Sequence, residues 1–175
     1  MFFTEFEKDS DWIKTFYADY TFEVDFVRSG NNCEVIQLIN QIYTDKTTQD
    51  ISEEELKDID VAIYGKRVLT MANNEGKGWF AIMLSQYITF KTMVPEYIID
   101  AVIFAKEFYS NTIIADIVDY RLNKNFKGDN KLDITSCEEI LSKYRKKEAS
   151  IDELISNIAL IIPEDQILMF LEKVK

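Results

Sequence analysis

Apolar residues near the start of the chain recur every second position. Over residues 14–24, KTFYADYTFEV, Phe16, Ala18, Tyr20, Phe22 and Val24 alternate with Thr15, Tyr17, Asp19, Thr21 and Glu23. A period of two places the two sets on opposite faces of an extended segment, so this pattern predicts a strand. A second short extended piece is expected at Phe2–Phe6. Two strands are marginal in water, so together they make a small sheet or the end of a larger one. From Glu34 the period becomes helical, with Val35, Leu38, Ile39 and Ile42 on one face. That helix ends in the polar stretch Thr44–Asp50. Ser52-Glu-Glu-Glu55 then has the form of a capping box, in which hydroxyl and carboxylate satisfy each other's exposed amides, and predicts a helix over 53–72.

Asn73–Gly78 reads as a turn. Beyond it Phe80, Met83, Leu84, Tyr87 and Ile88 mark an amphipathic helix with Trp79 at its start, and Pro95 suits the first position of the next, whose apolar residues are Ile98, Ile99, Val102, Ile103 and Ala105. Further helices are predicted at 112–123, 136–147, 151–161 and 164–174, two of them introduced by capping boxes, Ser136…Glu139 and Ser150…Glu153. Asn123–Thr135 is the most polar stretch and is read as an internal linker. The expected fold is therefore mainly α, a helical domain of about six or seven helices with one or two short N-terminal strands. Its expected divisions are a strand region at 1–25, a helical domain at 26–122 and a C-terminal helical subdomain at 123–175.

Composition narrows the chemistry. With 175 residues, 47% of them hydrophobic, and only 5 Gly and 2 Pro, the chain supports one well-buried core and few turns, and a second full domain is not expected. The net charge of −11 is uneven: residues 1–75 hold 7 basic and 16 acidic side chains, residues 76–175 hold 13 and 15. An acidic surface repels a phosphate backbone, which argues against non-specific nucleic-acid binding by this chain alone and favours a metal ion or a basic partner. There is no His, and Cys33 and Cys137 stand apart, which excludes the usual zinc sites and every His-based triad. Both thiols are expected to be reduced and in or near the core. The N-terminus, MFFTEFEKDSDW, has neither the charge pattern nor the apolar run of a signal peptide or anchor, so a cytoplasmic protein without membrane contact is expected.

Three features rise above a generic helical domain: Thr21-Phe-Glu23-Val-Asp25, the Asn31-Asn32 pair after Gly30, and Gly76-Lys77-Gly78-Trp79-Phe80-Ala81. An acid at a strand end is commonly only a solvated side chain, and a lysine in a turn likewise. Lys77 is nevertheless oddly placed, because a helix start carries partial positive charge and disfavours cations. Flanking glycines would let a ligand approach the backbone, and free amides would reinforce the lysine in binding an anion, for which a phosphate is suited. A Walker A loop is excluded, since GxxxxGK[ST] would need Gly at 71 and a hydroxyl at 78, where the chain has Met71 and Gly78.

Taken together, TFEVDFVRSGNN, a helix, and then GKGWFA resemble the end of the Toprim domain in the overcoming-lysogenization-defect (OLD) family of ATPase–nucleases, over about residues 12–105. In that family a Thr/Ser-x-Glu follows the last core strand, and a lysine in a K-G-x-F-A-like segment opens a later helix. The resemblance implies that Glu23 is a metal ligand for Mg²⁺ or Mn²⁺ in a complete nuclease. It likewise implies that Thr21 assists through its hydroxyl and that Lys77 is the cation stabilising phosphate charge. It further implies a glutamate after a first strand, an Asp-x-Asp after a third strand and an ATPase domain upstream, and none of these elements is read before Thr21. The 20 residues there cannot form a Toprim sheet. The chain is thus read as the C-terminal part or a split subunit of such an endonuclease, with phage defence as its setting. It would be inactive alone and would meet DNA only with the missing ATPase/Toprim part or another subunit.

Residues 106–175 match no motif, and Lys143, Arg145, Lys146 and Lys147 read as a solvated helix end that complements the dipole, with a DNA contact left open. The alternative function is an acidic helical interaction module, an adaptor or inhibitor without catalysis. A free-standing enzyme ranks third.

Overall fold

A computed structural model describes residues 12–126 and 134–175 of the chain. The expected extended piece at Phe2–Phe6 lies outside them. The chain divides into two compact units, residues 1–98 and 99–175.

The first unit contains α1 (Phe22–Arg28), α2 (Asn32–Ile36), α3 (Ile39–Ile42), α4 (Lys46–Leu56), α5 (Val61–Glu75) and α6 (Lys77–Ser85). The next helix, α7 (Glu96–Lys106), starts within it. Its core joins Val24, Phe26 and Val27 of α1 to Val35, Leu38, Leu56, Val68, Met71 and Phe80. Full burial of such side chains contributes roughly 1.5–3 kcal/mol each, which is what holds short helices that would not persist alone. Of these helices α1 packs most extensively on α5. At Gly65 the approach is close: a Cβ there would lie 3.2 Å from Cγ1 of Val24.

The expected strand at 14–24 is not formed, and no strand occurs among the described residues. From Trp12 to Thr21 the polypeptide is irregular, and helix α1 begins at Phe22. The period-two reading fails because the face it assigned to the core is fully buried only at Val24: Tyr20 is 51% and Phe22 46% exposed. The residues that are buried, Val24 through Val27, are consecutive, which suits a short helix pressed into a core. With no neighbouring strand to accept its amides, an extended segment would leave them to water, whereas the helix satisfies its own. Over 12–25 the expected sheet remnant is therefore absent.

Other boundaries move for local reasons. The segment expected as one helix near 34–43 is two short pieces, α2 and α3. The helix expected at 53–72 is α4 and α5 separated at 57–60. Ser52 is no cap: it sits inside α4 and donates its hydroxyl to the Thr48 carbonyl at 2.6 Å. The caps are Asp45, which accepts from the Thr48 amide, and Asp60, which accepts from the Ala62 amide. The turn expected at 73–78 contracts to Gly76 alone, since α5 continues to Glu75 and α6 starts at Lys77.

Asn31 and Asn32 have different fates. Asn31 is 1% exposed and its amide donates to the carbonyls of Phe26 (2.9 Å) and Met93 (2.7 Å) while accepting from the Met93 amide (2.7 Å). It therefore clamps the 89–95 segment to the end of α1. Asn32 opens α2 and is only partly buried.

The second unit contains α8 (Asn111–Phe126), α9 (Ile134–Arg145), α10 (Ile151–Ile161) and α11 (Ile167–Lys173). Its core gathers Ile114, Val118, Leu122, Leu141, Leu154, Ile158 and Leu171. The polar stretch 123–135 thus joins two helices that share one core. Helix α10 has the bounds its pattern predicts, and the Ser150…Glu153 capping box is formed in both directions. Ser136, by contrast, falls inside α9. Both cysteines are free, Cys137 buried as expected but Cys33 exposed. No helix among the described residues is long and apolar enough to cross a membrane.

Asn31→Ala is expected to lower the stability of the first unit by roughly 2–3 kcal/mol, because it also strands buried backbone partners. Asn32→Ala should stay within about 0.5 kcal/mol. Urea unfolding of the two variants checks both, and equal losses would contradict the clamp.

Candidate functional site

Helix α1 presents Thr21 at its N-cap and Glu23 in its first turn. Because Val24, Phe26 and Val27 are buried against the core, the roll of this helix is fixed, and Glu23 keeps 12% side-chain exposure beside the α5–α6 junction. Gly76 makes that junction. Its φ of +82° belongs to the region that L side chains avoid, and it lets α5 end and α6 begin within one residue. Phe80, 2% exposed, anchors α6 in the core. Lys77, its first residue, is left half-exposed.

Glu23 and Lys77, 54 positions apart, meet here. The ammonium lies 3.2 Å from Oε1 and 3.3 Å from Oε2 of the carboxylate. Burial would push the Glu23 carboxyl up, but its own backbone amide, the Thr21 hydroxyl and Lys77 together hold it below the ordinary value of 4.5. All three residues singled out in the sequence are thus in one place.

The start of α6 has the features that let a helix start receive an anion. Gly76 offers no side-chain cap, and no acid occupies the first turn. The amides at the start of such a helix have no intrahelical acceptor and carry the positive end of the dipole. Lys77 adds a full charge at that point, and Glu23 supplies the balancing anion. Gly78 has open space where a Cβ would be, so nothing in the protein itself demands glycine there.

Two residues to which sequence reasoning gave no role belong to this neighbourhood. Asp25 is 5% exposed; its Oδ2 accepts from the Tyr20 amide at 3.2 Å, whereas Oδ1 has no hydrogen-bond partner and only the Arg28 guanidinium 3.9 Å away. An acid inside the apolar run Val24–Val27 was the available signal. Tyr97 of α7 has its phenol pushed up by burial and then by the charges of Asp25 and Glu23. Nothing in its sequence setting marks it.

The donor set does not suit a metal held by these residues alone. Glu23 faces a lysine, and no group of three or more His, Cys, Asp or Glu among the described residues could hold an ion. An open cavity of about 690 Å³, lined by Tyr20, Arg28, Lys57 and Tyr64 among others, includes neither Glu23 nor Lys77. Two of the four basic residues at the end of α9 are paired: Lys143 with Glu139 at 2.6 Å, and Arg145 with Asp116 at 2.9 Å and Asp119 at 3.6 Å.

Comparison of the chain with protein-family models, with curated proteins and with solved structures yields no match.

The Glu23 carboxyl, followed by NMR, should titrate below 4.5, and Lys77→Met should move its midpoint upward. Because the folded value is the lowered one, the associated stabilisation is complete above the unfolded value and disappears as pH falls through the folded value. The loss of stability on acidification should therefore be smaller in Lys77→Met. An unchanged midpoint would show that the pair does not persist in solution.

Proposed function

We propose that this chain is the C-terminal portion or a split subunit of an OLD-like Toprim DNA endonuclease, and that Thr21, Glu23 and Lys77 are its contribution to a phosphodiester-cleaving site. The observation that carries this reading is the Glu23–Lys77 pair itself, formed across 54 positions at a helix start with no side-chain cap. A structural ion pair has no need of that location. A lysine directed at phosphate does, because the helix amides and the ammonium act on the same anion.

In this reading Glu23 holds Lys77 in place until a phosphate oxygen takes over the ammonium and the free amides of α6. Thr21 keeps the displaced carboxylate oriented through its hydroxyl. The further carboxylates that metal-assisted cleavage requires would come from the ATPase/Toprim part or another subunit, and Mg²⁺ or Mn²⁺ would be bound only in the complete assembly. DNA would be met there too, since a chain of charge −11 repels it.

The isolated chain is expected not to nick supercoiled plasmid with Mg²⁺ or Mn²⁺. The chain combined with the product of the adjoining reading frame is expected to nick it, and Lys77→Ala or Glu23→Gln in that combination should slow nicking by about a hundredfold or more. Nicking at the wild-type rate by either variant contradicts the site. Stable association without any cleavage would instead favour an acidic interaction module, and nicking by the isolated chain that Lys77→Ala abolishes would make it an enzyme in its own right.

A further inference from the structure

Residues at the end of α1 and in the 57–60 link between α4 and α5 line the open cavity of about 690 Å³. That volume lies in the range of ligand sites and exceeds what one side chain fills. Tyr64 of α5 forms part of its wall. The residue is 7% exposed, yet its phenol hydroxyl makes no hydrogen bond among the described residues. Burial pushes this phenol up, so at neutral pH it keeps its proton and can both donate and accept. A buried hydroxyl ordinarily has a partner, and one left open against a cavity points to a group that arrives from outside.

Four charged side chains line the same space: Arg28, Lys57, Asp58 and Asp60. The two cations are engaged, Arg28 with Asp19 and Lys57 with Glu53. The two acids are engaged through one oxygen each. Oδ1 of Asp58 accepts the Asp60 amide at 2.8 Å, and Oδ1 of Asp60 accepts the Ala62 amide at 2.9 Å, which leaves both Oδ2 atoms without a hydrogen bond among the described residues. The open groups are therefore acceptors, and the unbalanced charge is negative. They select a cation rich in N–H donors. Tyr20, on the wall with them, decides which cation: its ring is half-exposed and already carries the Arg28 guanidinium 5.8 Å from its centroid. A guanidinium stacks on such a face and presents a planar fork of N–H groups to carboxylates, whereas an ammonium is a compact, strongly hydrated charge.

We propose that this cavity is a docking site for an arginine side chain of a basic partner protein, with the guanidinium against the Tyr20 ring and its N–H groups donated to Oδ2 of Asp58, Oδ2 of Asp60 and the Tyr64 hydroxyl. Arg28 does not oppose it strongly, because Asp19 pairs with it and Asp25 lies 3.9 Å away. The remaining space takes the residues that flank the arginine, and Ile59, 98% exposed, offers them an apolar contact. The net charge of −11 favours the same class of partner at longer range, by steering its approach. Neither Glu23 nor Lys77 lines the cavity, so the assignment does not depend on the nuclease reading.

Blocked Gly-Arg-Gly and Gly-Lys-Gly peptides, titrated into the full chain while NMR follows the Tyr20 and Tyr64 rings and the Ile59 methyls, test the site. The arginine peptide is expected to shift all three saturably and to bind several-fold more tightly than the lysine peptide. Asp58→Asn combined with Asp60→Asn keeps both local amide acceptors and should weaken the arginine peptide about tenfold. Tyr64→Phe should weaken it about threefold and leave the midpoint of urea unfolding unchanged, since the hydroxyl has no partner to lose among the described residues. A merely structural phenol would give the reverse, lower stability with undiminished binding. No saturable shift, equal binding of the two peptides, or full binding by the Asp58/Asp60 double variant or by Tyr64→Phe overturns the proposal. Guanidinium ion that binds as tightly as the arginine peptide also overturns it, in favour of a small-molecule site. No nucleic acid enters these titrations, so they succeed or fail independently of the plasmid assays.

Discussion

The contact between Val24 and Gly65 sets the geometry on which the first unit depends. A helix of seven residues has too few internal hydrogen bonds to persist in water, so α1 exists because Val24, Phe26 and Val27 are taken into the core. Glycine at 65 lets the backbone of α5 come close enough for Val24 to pack directly on it. With Val24 facing α5, Glu23 is rotated by one residue's turn of the helix and emerges beside the junction where α5 gives way to α6. The Glu23–Lys77 pair is therefore a product of apolar packing. A half-exposed ion pair contributes too little to dictate a fold, and this one is best understood as chemistry that the core has placed.

Two short helices in this unit share an unusual economy. Thr21 and Asn31 both stand at N-cap positions, both are residue types that cap well, and neither caps. Asn31 spends its amide on Phe26 and Met93, which closes the unit around the end of α1. Thr21 makes no side-chain cap hydrogen bond. At Asn31 the local cap of α2 is thus forgone for tertiary closure.

What could be read from the sequence follows from where physical information is local. Helix α10 was legible to the residue because an apolar stripe and a reciprocal capping box agree within its own eleven residues. The placement of Thr21, Glu23 and Lys77 together was legible only through the resemblance, since nothing between 23 and 77 states that the two ends meet. The strand over 14–24 was misread because alternating aromatics look alike whether a partner strand exists or not, and pairing is a property of the whole fold. Ser52 and Ser136 had the form of caps but sit in helix interiors, where serine bonds back to a carbonyl when tertiary packing carries the helix past it; Ser52 does so to Thr48. Tyr97 could not be found at all, because its only link to the site is spatial.

The phosphate-directed role proposed for Lys77 raises an electrostatic question in a chain of charge −11. At physiological ionic strength charges separated by much more than about 8 Å are screened, so most of the −11 acts on the approach of DNA and little on a phosphate already seated. Within that radius Lys77 faces Glu23, while Asp25 is buried and has the Arg28 guanidinium 3.9 Å away. A phosphate must therefore win the ammonium from one carboxylate, which a doubly contacted anion on a helix start is able to do, but it must first be brought there against the field of the whole chain. Under the proposed function, that field makes delivery of the substrate by a basic partner a requirement, because the chain's own surface repels nucleic acid.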